Sequence, residues 1–313
     1  MLHRISEEDF ADSFGTTVDD LPQPCRELIA NTDFRYRILE GDERDRVVLD
    51  VLRRIETDQQ RIGAEERHDV WERGWAENLQ AFKESGYDLK SLVPRFLRPD
   101  QVIRLNRNYI QPTNPTFELD YFNVFCQWLF HKYLTNVSTI YEFGSGTGMN
   151  LATIAQIFPT MELHGLDFVP SSRDLLNKVG EVYGWNITGH LFDMVEPDES
   201  LEIKKNSAVL TFGAIEQLAG RFEKFVQFLL KRSPALCISM EPTIELYDED
   251  HLLDYLAIKF HRKRGYTENY LTRLRELESV GAIQILKAKR PFFGSLYMEG
   301  YSCIIWRPLN TAH

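Results

Sequence analysis

The chain has 313 residues, 43% of them hydrophobic and 27% charged, an ordinary globular composition long enough for a catalytic domain with an elaboration. Its formal net charge of -11 comes from 36 basic and 47 acidic side chains. Such a balance argues against a protein that grips nucleic-acid phosphates, which rests on neutralisation by Lys and Arg. Residues 1–120 hold 17 of the basic and 25 of the acidic side chains, so the acidity is mostly N-terminal.

The start, Met1 to Asp9, turns acidic where a signal peptide would need an apolar run, and no uncharged apolar stretch is long enough to span a bilayer. Cys25, Cys126, Cys237 and Cys303 form no CxxC pair, which favours reduced, buried thiols. A soluble cytoplasmic protein with no membrane partner is expected.

Residues 1–113 read as a helical extension. Val47, Val48, Val51, Leu52 and Ile55 make one helical stripe, and Trp71, Trp75, Leu79 and Phe82 make another before Gly86. Both stripes are expected to pack on a core, with the tryptophans as packing residues. The stretch from Arg98 to Pro115 carries three prolines and no clear period, so it reads as a connector. Asn114 can cap a helix that has Pro115 at its first position and runs to about Leu134. Phe117, Tyr121, Phe122, Phe125 and Trp128 exceed what one stripe can use, so this helix is expected to be buried on two sides.

From there short apolar runs alternate with helical segments, the signature of a parallel sheet with crossover helices. The strands are placed at Thr139 to Phe143, Leu163 to Asp167, Ile187 to Asp193, Ala208 to Phe212, and Ala235 to Met240. Two further helices, near 250–264 and 268–280, precede strands at Ile283 to Lys289 and Tyr301 to Trp306. The link between these last two strands is too short for a crossover helix, so they should pair antiparallel.

The informative segment is Tyr141-Glu-Phe-Gly-Ser-Gly-Thr-Gly-Met-Asn150, between a strand and a helix. Gly144, Gly146 and Gly148 let the backbone turn tightly and approach a ligand, and the following helix offers free N–H groups. Nineteen residues after Gly148 stands Asp167, at the end of the second strand. A carboxylate there can accept hydrogen bonds from both hydroxyls of a ribose. The dinucleotide fingerprint GxGxxG is not met, because position 149 is Met.

The order Glu-Phe-Gly-Ser-Gly-Thr-Gly resembles the first motif of the class I S-adenosylmethionine (SAM)-dependent methyltransferases, and Gly165-Leu-Asp167 resembles their ribose-binding acidic motif. The resemblance covers about residues 115–313. It implies a Rossmann-like, doubly wound α/β fold with a seven-stranded sheet of order 3-2-1-4-5-7-6 and an antiparallel last pair. The expected division is 1–113 as a helical lid and 114–313 as the catalytic domain. It also implies that SAM is the cofactor and S-adenosylhomocysteine the product. Gly144, Ser145, Gly146 and Gly148 would contact the cofactor, Glu142 would reach its ammonium, and Asp167 and Phe168 would flank the ribose. Asp193 would face the adenine amino group, with Glu196, Asp198 and Glu199 as rival carboxylates on the same loop, Met194 or Phe192 would lie against the ring, and Phe212 would line the pocket.

The acceptor belongs beyond the carboxyl ends of the fourth and fifth strands. A hydroxyl or ammonium acceptor must lose a proton, and Glu216, Glu241 and His251 are the candidate bases. On the helix after the fifth strand, Leu252, Leu253, Leu256 and Phe260 share a core side, opposite His251, Tyr255, Ile258 and Arg262. That second side either serves an acceptor or is a solvated face. No metal-ligand spacing is present around Glu241, Glu245 and His251. From the extension, Arg104, Asn106, Arg107, Tyr109, Phe117 and Tyr121 are near enough in sequence to fold over the cleft. The reading is transfer of a methyl group to oxygen or nitrogen of a small molecule. Its rivals are a non-catalytic SAM- or nucleotide-binding scaffold, a nicotinamide oxidoreductase, and an aminopropyl transferase.

Overall fold

The computed structural model describes residues 1–62 and 66–309. The N-terminal part runs β1 (His3–Arg4), α1 (Glu7–Phe14), α2 (Gln23–Asn31), β2 (Arg35–Ile38), α3 (Gly41–Thr57), α4 (Glu66–Glu84), β3 (Ile103–Leu105) and β4 (Asn108–Pro112). After it come α5 (Phe117–Tyr133), β5 (Thr139–Phe143), α6 (Met149–Ile157), β6 (Glu162–Asp167), α7 (Pro170–Tyr183) and β7 (Ile187–Leu191). The chain ends with β8 (Ser207–Phe212), α8 (Glu223–Arg232), β9 (Leu236–Glu241), α9 (Leu252–Arg264), α10 (Tyr270–Ser279), β10 (Ile283–Lys289), β11 (Phe293–Gly294) and β12 (Ser302–Pro308).

Seven strands form the main sheet in the order β7-β6-β5-β8-β9-β12-β10. Counted along the chain within this sheet the order is 3-2-1-4-5-7-6, with β12 antiparallel to both neighbours and the other pairs parallel. Burial follows position. β5 and β9 are buried at every residue, as strands covered on both faces must be. β10, at the edge, is buried only at Ile283, alternates more and less exposed positions beyond it and carries Lys287 and Lys289, charges that discourage edge-to-edge pairing.

The N-terminal part is not wholly helical, contrary to the expectation from sequence. A second sheet runs β1-β2-β4-β3-β11. Its strands are two to five residues long, too short to impose a period of two. The hairpin β3–β4 turns at Asn106 and Arg107, both with positive φ (48° and 61°), which suits a two-residue turn. Because β11 pairs with β3, residues 1–113 do not close on themselves, and the second sheet takes its last strand from the segment between β10 and β12. The helix expected from Pro115 begins at Phe117, with Thr116 at the cap position. Asn114 Oδ1 instead accepts from Thr116 N–H and Oγ1, both at 3.0 Å.

Helix α5 is buried on two sides, as its aromatic excess implies. Phe14 of α1 stacks on Trp128 at 5.1 Å, while Phe212 of β8 meets Phe122 at 6.3 Å. One continuous core therefore joins the N-terminal part to the main sheet. Helix α9 departs from its expected two-sided pattern. Leu252 is exposed, whereas Ile258 and Asp254 are buried with Leu253, Leu256 and Phe260, because α9 also packs against α3.

Candidate functional site

The glycine loop joins β5 to α6 at the point where the sheet order reverses, since β6 lies on one side of β5 and β8 on the other. Open α/β sheets bind ligands at this switch point. Gly144, Gly146 and Gly148 have φ of +68°, +53° and +75°, a region that other residues enter at a cost. Each glycine also meets a different neighbour. A Cβ on Gly144 would lie 2.4 Å from Ala214 Cβ, and one on Gly148 would lie 2.3 Å from Leu176. Those two glycines serve close packing. Only Gly146 would project its Cβ toward a side chain of the N-terminal part, the indole of Trp75, at 3.0 Å.

Two carboxylates flank the loop. Asp167 ends β6, is 4% exposed, and accepts from Gly146 N–H at 2.9 Å and Val169 N–H at 3.3 Å. Burial raises its carboxyl to about 6 against the pull of these bonds. Glu142, in β5, is 1% exposed. Its Oε1 accepts from Asn150 Nδ2 at 2.7 Å, and its Oε2 has no partner among the described residues. Burial raises this carboxyl to about 8. A buried carboxylate oxygen left without a donor is costly, so this one is poised for a cationic or N–H donor.

The remaining residues expected around a cofactor divide. Phe168 is 42% exposed, with His68 of α4 edge-on at 5.4 Å. Ser145 Oγ is buried without a partner among the described residues. Asp193 is exposed and accepts from Val195 N–H at 2.7 Å. Met194 is buried in the same core cluster as Phe143 and Phe192, and Phe212 packs between Phe122 and Phe130. Both are therefore taken up by the core.

The three candidate bases are not one constellation. Glu241 is 3% exposed, and its carboxylate accepts the backbone N–H groups of Ala214, Ile215 and Glu216, each at 3.1 Å. It holds the loop after β8 in place, and burial raises its carboxyl to about 7. Backbone amides take three of the roughly four acceptor positions of this carboxylate, so Glu241 is the candidate base already committed to holding a loop. Glu216 is half-buried and lines a cavity of about 10 Å3 between the loops after β8 and β9. His251, at the start of α9, has Nδ1 4.0 Å from Asp254 Oδ1 and belongs with a buried ion cluster. In that cluster Arg290 holds both oxygens of Asp254 at 2.6 and 2.5 Å and Glu299 at 2.5 Å. Arg104 of β3 lies 3.5 Å from Asp254 and 3.8 Å from Glu299.

That cluster also redefines the residues expected to fold over the cleft. Arg104 is fully buried in it, and Arg107 bonds Asp248 at 3.2 Å. Tyr109, Phe117 and Tyr121 lie in the core. What covers the glycine loop is α4. Trp75 lies against Gly146 and stacks on Trp71 at 5.2 Å. Glu72 Oε2 accepts from Ser171 N–H and Oγ at 3.1 and 3.0 Å. The helical stripe containing Trp71 and Trp75 signals an amphipathic helix, but nothing local in the sequence says where that helix docks.

The chain matches no protein-family model and no curated protein sequence. The [4+2]-cyclase SpnF aligns with a TM-score of 0.52 at 8% identity, over 80% of this chain and 99% of that one. Human N-acetylserotonin methyltransferase, solved in complex with SAM, aligns at 0.45 and 12% identity over 95% of this chain and 74% of that one. A SAM-dependent methyltransferase from Aquifex aeolicus aligns at 0.41 and 13% identity, over 57% of this chain and 86% of that one. With the strand order and the antiparallel last pair, the chain has a Rossmann-like fold of the class I SAM-dependent methyltransferase type. No described helix is long and apolar enough to cross a membrane.

Proposed function

We propose that the protein binds SAM at the glycine loop and transfers its methyl group to oxygen or nitrogen of a small molecule. The observation that carries this reading is the pair of buried carboxylates on either side of a glycine loop at the switch point of a 3-2-1-4-5-7-6 sheet. These residues fit the cofactor. Glu142 Oε2, the orphaned acceptor, would take the methionine ammonium, and Asp167 would take the ribose hydroxyls. Gly146 lacks a Cβ that would narrow the loop's approach to a ligand, and Phe168 and Asp193 are exposed and so available to a bound cofactor.

SAM supplies a methyl group on a sulfonium, transferred by direct displacement. The protein's task is then to position the acceptor, and orientation alone can supply about 7 to 11 kcal/mol. Glu216 is the base we assign to an acceptor that loses a proton, since it lines the gap between the loops after β8 and β9. The acidic N-terminal part biases the choice toward neutral or cationic acceptors. Four buried, free cysteines support a reducing, cytoplasmic setting.

A non-catalytic scaffold reading is favoured by one observation, the indole of Trp75 in the space above Gly146. Calorimetry with SAM, S-adenosylhomocysteine and NAD separates the readings of the pocket, and methyl transfer from labelled SAM to a library of hydroxyl and amine compounds separates enzyme from scaffold. Binding of NAD with no response to the other two would sink the proposal.

A further inference from the structure

Helix α4 is held in two unlike halves. Its C-terminal half is anchored in the core, with Phe82 fully buried and Asn78 Nδ2 donating to Ser91 O at 2.9 Å. Its N-terminal half exposes His68, Asp69 and Val70 and reaches the main fold through His68, edge-on to Phe168, and through Glu72 and Trp75. Trp75 puts Cζ2 3.0 Å from the position a Gly146 Cβ would take, so the indole fills the volume that the missing Cβ leaves. Glu72 bonds Ser171 in the first turn of α7, and the next residue, Ser172, donates to Gly146 O at 2.6 Å. The aromatic contact and the polar tie, the latter by way of α7, thus converge on Gly146. Between Trp71 and Trp75 lies Gly74, with nothing within 4 Å of where its Cβ would be. A mid-helix glycine with no packing reason weakens the helix by about 1 kcal/mol relative to alanine. Two cavities among the described residues, of about 10 Å3 each, lie away from the glycine loop.

We propose that the N-terminal half of α4 is an internal occupant of the cofactor groove, and that Trp75 and Glu72 must leave the glycine loop before SAM can enter. This rests on the SAM-binding reading and adds a closed state to it. Apparent affinity falls by the fraction of molecules that are open, so loosening the plug tightens binding. Trp75→Ala and Glu72→Gln, the second removing only the charge at Ser171, are each expected to raise SAM affinity by about three- to tenfold in calorimetry. Saturating S-adenosylhomocysteine is expected to speed hydrogen exchange of the amides of residues 68–75 in the unaltered chain.

Slower exchange there, with weaker SAM binding by Trp75→Ala, would make α4 a wall of the filled site and overturn the plug while leaving SAM binding intact. Unchanged affinity in both variants overturns it as well. Absence of SAM binding by the unaltered chain and by both variants would instead remove the SAM-binding reading, and the plug with it.

Discussion

Glu142→Gln tests the electrostatics of the candidate site in the absence of any ligand. The side chain is 1% exposed, with one oxygen on Asn150 and the other unpartnered. Burial, with the nearby Asp167 charge a lesser cause, raises its carboxyl from an ordinary 4.5 to about 8. A carboxyl whose pKa is raised by folding binds its proton more tightly in the folded state. Its contribution to stability is therefore present at low pH and is lost as pH climbs through 4.5 toward 8. Each pH unit in that window costs roughly 1 kcal/mol, so on the order of 3 kcal/mol is lost between pH 4.5 and pH 7. Glutamine keeps the shape and cannot ionise. Urea unfolding of both chains at about pH 5, 7 and 9 should give stability curves that diverge with rising pH, the variant becoming the more stable. Asp167 and Glu241 titrate in overlapping ranges and are common to both chains, so the difference reports Glu142 together with its coupling to Asp167. Parallel curves would show that Glu142 ionises freely in the folded protein and would refute the reasoning.

Asp167→Ala should weaken SAM binding about tenfold or more, by loss of a charged acceptor for two hydroxyls; calorimetry showing equal affinity would remove Asp167 from the site. Gly144→Ala would force a Cβ to 2.4 Å from Ala214 at a φ of +68°, and thermal unfolding should register a loss of about 1–3 kcal/mol. Arg290→Met leaves Asp254 and Glu299 buried without their main partner, which should cost about 3–5 kcal/mol in urea unfolding. His251→Ala should leave SAM affinity unchanged in calorimetry, because its side chain sits with Asp254 rather than at the glycine loop.

The main sheet, its strand limits to within about two residues, and the loop that flanks the candidate site are legible in the sequence. The reason is that these signals are local. A strand covered on both faces must be a short apolar run, as in Thr139–Phe143, and a backbone that turns at φ of +53° writes itself as glycine at 146. The acidic residue at the end of β6 follows at a fixed distance along one βαβ unit.

Only the tertiary structure decided what depends on contacts between distant segments. Strands as short as His3–Arg4 leave no period to read, and β11 finds β3 across 188 residues from Leu105 to Phe293. Glu241 looks like a free carboxylate at a strand end until three amides from the neighbouring loop converge on it. Trp75 looks like an ordinary member of a helical stripe. Amphipathicity fixes which face of α4 is buried but carries no information about its partner, and the fold sets that face, with Glu72 and Trp75, on the glycine loop.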